Sequence, residues 1–120
     1  MAIDIKEVSG NIVWVEASEQ LTDDDYETFV PRMEALIKQW GRLRMLLEMK
    51  DFRGWDTKSV WEEFKFHSKH RKDLKRVAVV GEKQWERWAT RLSRIFTGSD
   101  VRYFDHAELD DARGWIEMGW

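Results

Sequence analysis

Leu43-Arg44-Met45-Leu46-Leu47-Glu48-Met49 and, further along, Arg76-Val77-Ala78-Val79-Val80-Gly81 are the two stretches that decide the fold. The first is bounded by Gly41 and by Lys50-Asp51, and the second ends on a glycine. Apolar runs this short suit strands covered on both faces, as in a parallel sheet. Between them, Asp56 to about Arg71 places Val60, Trp61, Phe64, His67 and Ser68 on one side of a helix. The three segments together read as a βαβ unit.

Upstream, Ile3, Ile5 and Val8 face Ile12, Val13, Trp14 and Val15 across Ser9-Gly10-Asn11, a composition that favours a tight turn and predicts an N-terminal β-hairpin. Thr22 with Asp25 three residues on suits a helix start. Tyr26, Phe29, Val30, Met33, Ile37 and Trp40 then recur at helical spacing up to Gly41. Pro31 falls inside that pattern and removes the amide that would bond to Glu27, so a kink or restart is expected there.

Downstream of Gly81, Trp85, Trp88, Ala89, Leu92, Ile95 and Phe96 form another helical stripe, and Val101 to Phe104 a last strand. Asp105 and Glu108 make a capping box for a final helix that turns Leu109, Ala112 and Ile116 inward. The order β-β-α-β-α-β-α-β-α gives an α/β fold: a hairpin, then alternating elements, with a mixed sheet of about five strands and about four helices.

At 120 residues the chain reads as a single domain, 1–120, and 42% hydrophobic content with 8 Trp, 6 Phe and 2 Tyr is enough to close a core. The absence of Cys excludes a disulfide framework, a thiol nucleophile and Cys-ligated metals, and fits a reducing cytoplasm. No basic stretch precedes an apolar run at Met1–Glu7, and no window approaches the roughly 18 apolar residues of a membrane span.

The net charge of -3 is unevenly distributed. Residues 1–64 carry 8 basic and 14 acidic side chains, residues 65–94 carry 10 and 3, and residues 95–120 carry 2 and 6, so the blocks stand at -6, +7 and -4. A basic block inside an acidic chain marks either a solvated helical surface or a site for an anionic partner. The sequence pI of about 5.6 argues against nucleic acid.

Leu21-Thr22-x-x-Asp25-Tyr26 leading to Pro31, Leu46-Leu47-Glu48-Met49, Phe52-x-Gly54-Trp55, Trp61-Glu62-x-Phe64-Lys65-Phe66, Arg76 to Gly81 followed by Trp85, and Val101-Arg102-Tyr103-Phe104 together resemble the SpoIIAA-like family of the STAS superfamily. The resemblance spans essentially the whole chain. It implies a STAS-like sandwich, also compared with CRAL-TRIO-type lipid-binding domains, in a small cytoplasmic protein that binds an apolar or lipid-like ligand at a membrane. The best-known STAS role is a switch in which a partner kinase phosphorylates a serine in an Asp-Ser-Ser-Gly-type turn. The corresponding stretch here, Asp51-Phe52-Arg53-Gly54-Trp55-Asp56-Thr57, has no serine; Thr57 and Ser59 are the nearby candidate phosphosites, and Thr57 also suits a helix start.

The candidate ligand and membrane site follows from the basic block. Trp85, Trp88, Leu92 and Ile95 cluster on one helical side, with Arg87, Arg91 and Arg94 along its flank, a pattern shared by interfacial helices and by ordinary helices packed on a sheet. Phe66 falls opposite Val60, Trp61 and Phe64; if the two helices are neighbours, as the resemblance implies, Phe66, Trp85 and Trp88 line an apolar slot rimmed by Lys69, Arg87 and Arg91. Arg53 and Trp55, in an expected turn after a central strand, lie where open α/β sheets bind ligands.

Catalytic readings are weaker. His67-x-x-His70 has metal-ligand spacing but sits among Lys69, Arg71 and Lys72, and Asp105-His106 has no evident nucleophile. The expected protein is therefore non-enzymatic, without cofactor or metal, and binds a lipid-like or apolar anion. It is expected in the cytoplasm, peripherally at the inner membrane face on an anionic surface. The alternative is a regulatory module of the anti-sigma-factor-antagonist type docking a protein partner, and a homodimer is a candidate assembly.

Overall fold

Ile3–Ser9 (β1) and Ile12–Leu21 (β2) form the hairpin, joined at Gly10-Asn11, where Gly10 takes φ 59. A positive φ at the first central residue is what a type II′ turn demands and what glycine supplies without strain. The computed structural model describes residues 3–55, 74–81 and 100–118. Asp23–Trp40 (α1) follows the hairpin, then Leu43–Trp55 (β3), Leu74–Gly81 (β4), Asp100–Asp105 (β5), a 3-10 turn at His106–Glu108 and Leu109–Glu117 (α2). The sheet order is β1-β2-β3-β4-β5, antiparallel in the hairpin and parallel from β2 onward, so the sheet is five-stranded and mixed. The helices expected over residues 56–71 and 85–96 lie outside the described residues.

Thr22 caps α1 in a reciprocal pair: its hydroxyl accepts from the Asp25 amide at 3.3 Å, and its own amide donates to Asp25 Oδ2 at 2.9 Å. The helix runs as one element through Pro31 rather than restarting. Pro31 and Glu27 both lie on its exposed side, so the carbonyl that loses its donor faces water. Phe29, Val30 and Met33 are buried, whereas Trp40, expected in the same stripe, is 47% exposed. Trp40 is the last helical residue, immediately before Gly41, whose φ of 83 turns the chain toward β3.

Phe52 to Trp55, expected as a turn, form instead the end of β3. Its pairing with β2 survives past Lys50 because Asp51 and Arg53 drop out of register: Ser18 faces Lys50, Glu19 faces Phe52 and Gln20 faces Gly54. Asp51 and Glu19 take φ 49 and 54 at this double irregularity, which is rare between parallel strands.

Alternation along the strands splits the core in two. Val13, Val15, Met45, Leu47, Val77 and Val79 face α1, with Met33 at 0% exposure between them. On the opposite face Leu46, Ala78 and Val80 meet Ala112, Trp115 and Ile116 of α2. Burial on both faces explains why β3 and β4 read as continuous apolar runs.

Two arginines fix α2 on that second face. Arg44 and Arg76 are register neighbours on β3 and β4, a like-charge pair that would ordinarily repel. Arg44 Nη1 donates to the carbonyls of Ile116 (3.0 Å) and Glu117 (3.2 Å), and Arg76 Nη1 to those of Trp115 (3.2 Å) and Met118 (2.8 Å). These are the carbonyls a helix C-terminus leaves unbonded, at the negative end of its dipole. Arg44 Nη2 also donates to Asn11 Oδ1 at 2.9 Å, tying the hairpin turn to the same point.

The difference between the two α1 residues is measurable by urea unfolding. Met33→Ala should cost about 2–5 kcal/mol, as large-to-small changes in a closed core do, whereas Trp40→Ala should stay within roughly 0.5 kcal/mol of the parent. Similar losses for both would return Trp40 to the core.

Candidate functional site

The face that carries α2 also carries the polar residues. Glu48, in the middle of β3, is 3% exposed and stands beside Glu16 of β2 in the register. A buried carboxylate needs its acceptors filled. Trp14 Nε1 donates to Glu48 Oε1 at 3.1 Å, and His106 Nε2 lies 3.2 Å from Oε2. Lys50 Nζ lies 3.4 Å from Glu16 Oε2 and 4.0 Å from Glu48 Oε2, bridging the two acids. Lys6, the unpaired residue of a bulge in β1, reaches Glu16 Oε2 at 3.0 Å.

This pairing shifts both partners. The Lys6 hydrogen bond, opposed by burial and aided by Lys50, holds the Glu16 carboxyl below its ordinary range; the same bond and the Glu16 charge raise the Lys6 ammonium. His106 follows β5 directly, so the network sits toward the carboxyl ends of the parallel strands, where open α/β sheets place ligands. A histidine steered by a buried carboxylate is half of a general-base arrangement. Among the described residues no hydroxyl is hydrogen-bonded to His106, and no group of three or more potential metal ligands comes together.

Beside the network lies a groove of about 390 Å³ between the hairpin and α2. Leu46 and Ile116 floor it, with Ile12 and the Trp14 indole as a wall. Glu7 and Ser9 of β1 and Arg113 and Glu117 of α2 rim it. Arg113 stacks on Trp14, its Cζ 5.1 Å from the ring centroid, and Lys6 Nζ lies 5.5 Å from the same ring. Trp115 is flanked likewise by Arg76 and Arg102 at 5.2 and 5.1 Å.

Of the residues singled out in the sequence, Arg53 is exposed at the β3 irregularity and Trp55 ends that strand, paired with Leu21. With no turn at this place, the expected closing loop of Arg53 and Trp55 is replaced by strand. Thr57, Ser59, Phe66, Lys69, Trp85, Arg87, Trp88, Arg91 and Arg94 lie outside the described residues. Asp105 caps the 3-10 turn as expected, accepting from the Ala107 amide at 3.1 Å, and the histidine beside it pairs with Glu48 instead. Glu48 carried a signal in the sequence, being an acid inside an apolar strand; its partners, far away in the chain, carried none.

The model of the SpoIIAA-like family matches residues 12–117, from the second hairpin strand to the end of α2. The chain belongs to the SpoIIAA-like family. No curated protein matches it. Among solved structures, an uncharacterized protein of the DUF3478 family from Shewanella loihica PV-4, described as having a SpoIIAA-like fold, is 30% identical. The match covers 95% of this chain and 93% of that one, with a TM-score of 0.74. Placement of this SpoIIAA-like chain in the STAS superfamily is consistent with the fold. No helix among its described residues is long and apolar enough to cross a membrane.

Glu48→Ala should destabilise by about 1–3 kcal/mol, because the Trp14 N–H loses its acceptor in a buried setting. Glu48→Gln, which keeps an acceptor there, should cost less, as read by urea unfolding.

The Lys6–Glu16 coupling should depend on pH. Glu16 is lowered by folding, so its contribution is complete above its unfolded value near 4.5 and is lost as pH falls through the lower folded value. Lys6 is raised, so its contribution is complete below about 10.5 and is lost as pH rises through the higher folded value. A double-mutant cycle of Lys6→Met and Glu16→Gln should give a constant coupling between these limits that fades outside them; a coupling that shows no decline as pH is lowered below 4.5 would contradict the pairing.

Proposed function

We propose that this SpoIIAA-like protein is a non-enzymatic regulatory domain of the anti-sigma-factor-antagonist type that works by reversible binding, and that it binds a lipid-like or apolar anion at an anionic membrane surface. Family membership over residues 12–117 supports the regulatory domain. The ligand class rests on one observation, the separation of charge along the chain.

Residues 65–94 stand at +7 while the flanking blocks are acidic. Six cations among the described residues are engaged within the protein: Arg44 and, from the basic segment itself, Arg76 on helix carbonyls, Lys6 and Lys50 on Glu16, and Arg102 and Arg113 over tryptophan rings. The basic segment is the larger reserve of positive charge for an anion. Its Trp85 and Trp88, interleaved with Arg87, Arg91 and Arg94, add the residue types that seat at headgroup depth. Phe66 and Lys69 belong to the same proposed surface. Peripheral attachment at the inner face of a membrane follows from this reading.

Co-sedimentation with phosphatidylcholine vesicles, with and without phosphatidylglycerol, tests it. Binding should require the anionic lipid and weaken with salt. Reversing Arg87, Arg91 and Arg94 to Glu should lower partitioning by at least about a hundredfold, since each basic side chain near an anionic surface contributes about 1 kcal/mol. Equal binding by parent and variant, both with parental circular dichroism, would remove the proposed surface. Absence of vesicle binding at low salt would leave docking of a regulatory protein partner as the function of the basic segment.

A further inference from the structure

We propose that the groove between the β-hairpin and α2 is a second binding site, selective for a small amphipathic ammonium compound with an aromatic or short aliphatic body. It differs from the membrane reading in both place and sign: it lies on the acidic part of the chain and takes a cation.

Volume and lining set the class of ligand. At about 390 Å³ the groove falls within the roughly 300–1,000 Å³ of small-molecule pockets. Leu46 and Ile116 line its floor and belong to the closed core beneath it, each 2% exposed. The Trp14 wall is held in place, because its Nε1–H is bonded to the buried Glu48 carboxylate on the side away from solvent. A wall pre-positioned in this way loses little freedom when a ligand packs beside it.

Charge sets the sign. Glu7 on β1 and Glu117 on α2 stand at the rim, and among the described residues neither carboxylate has an ion-pair partner. The indole beside them already draws two cations of the chain, Lys6 and Arg113, to within 5.5 and 5.1 Å of its ring centroid. The electron-rich ring face and the two carboxylates both favour positive charge. Arg113 is the one cation in the lining, against two carboxylates, and its guanidinium lies over the indole. An anion entering here would meet two carboxylates, whereas an ammonium at the rim gains a charge-assisted hydrogen bond to a carboxylate there.

The test is a two-dimensional amide NMR titration of the full chain with phenethylammonium chloride, compared with phenethyl alcohol and hydrocinnamate as neutral and anionic isosteres. Phenethylammonium should give saturable shifts at Glu7, Ser9, Trp14, Arg113 and Glu117. The alcohol should bind on the order of fivefold more weakly and hydrocinnamate should give no saturable shift, a rim ion pair being worth up to about 1 kcal/mol. Glu7→Gln with Glu117→Gln, both at exposed positions and therefore without consequence for folding, should lower phenethylammonium affinity at least about fivefold. Three results would each overturn the proposal: no saturable shift at these amides, hydrocinnamate binding as well as the amine, or undiminished affinity in the double variant. None of them bears on vesicle binding, so the two readings fail separately.

Discussion

Strand β3 is covered on both faces, and every other element is positioned by that constraint. Met45, Leu47 and Met49 meet the α1 side, while Leu46 meets α2. Over residues 43–49 the strand has no solvent side on which to place a charge, so each polar residue in that stretch must be answered inside the protein. Arg44 and Glu48 are the two such residues facing α2, and each organises a region. Arg44, with Arg76 beside it, collects the loose carbonyls at the end of α2 and the side chain of Asn11 in the hairpin turn. Glu48 collects the Trp14 indole N–H and His106.

Among the described residues the two faces of the sheet carry different helices. An 18-residue α1 lies on one; a nine-residue α2, pinned by its C-terminus, lies on the other. The short helix packs on Leu46, Ala78 and Val80, and the groove forms where it meets the hairpin. Trp14 lines that groove and also bonds to Glu48, so the groove wall and the buried acid are one mechanical unit. The bulge that brings Lys6 to Glu16 and the irregularity that displaces Arg53 serve a similar end at opposite limits of β2: pairing continues while a charged side chain is redirected.

Membership of the SpoIIAA-like family fixes the architecture and supports regulation by binding, but chemistry belongs to the side chains placed on the sheet. Here two chemistries are segregated. The described strands and helices are acidic at their groove and consume most of their cations internally. The basic, tryptophan-bearing residues are concentrated at 65–94.

Much of the fold was legible because it rests on local rules. Gly10 marked the hairpin, Thr22 and Asp25 the start of α1, Gly41 its end, the two apolar runs the parallel strands, and Asp105 with Glu108 the last cap. Each is a short-range backbone or periodicity effect, which a linear sequence carries in full. Trp40 was misread because periodicity does not say where a helix outruns its cover, and Phe52 to Trp55 because strand pairing, not composition, extended β3. The site was far less legible. Glu48 stood out as an acid within an apolar run, but Trp14, His106, Lys6 and Arg113 gained their roles only when folding brought separate strands and α2 together. The sequence by itself determined the elements and the segregation of charge, since both depend on neighbours in the chain. Tertiary structure decided which buried charge is answered by which distant group, because desolvation and hydrogen-bond geometry act between residues that only the closed sheet makes adjacent.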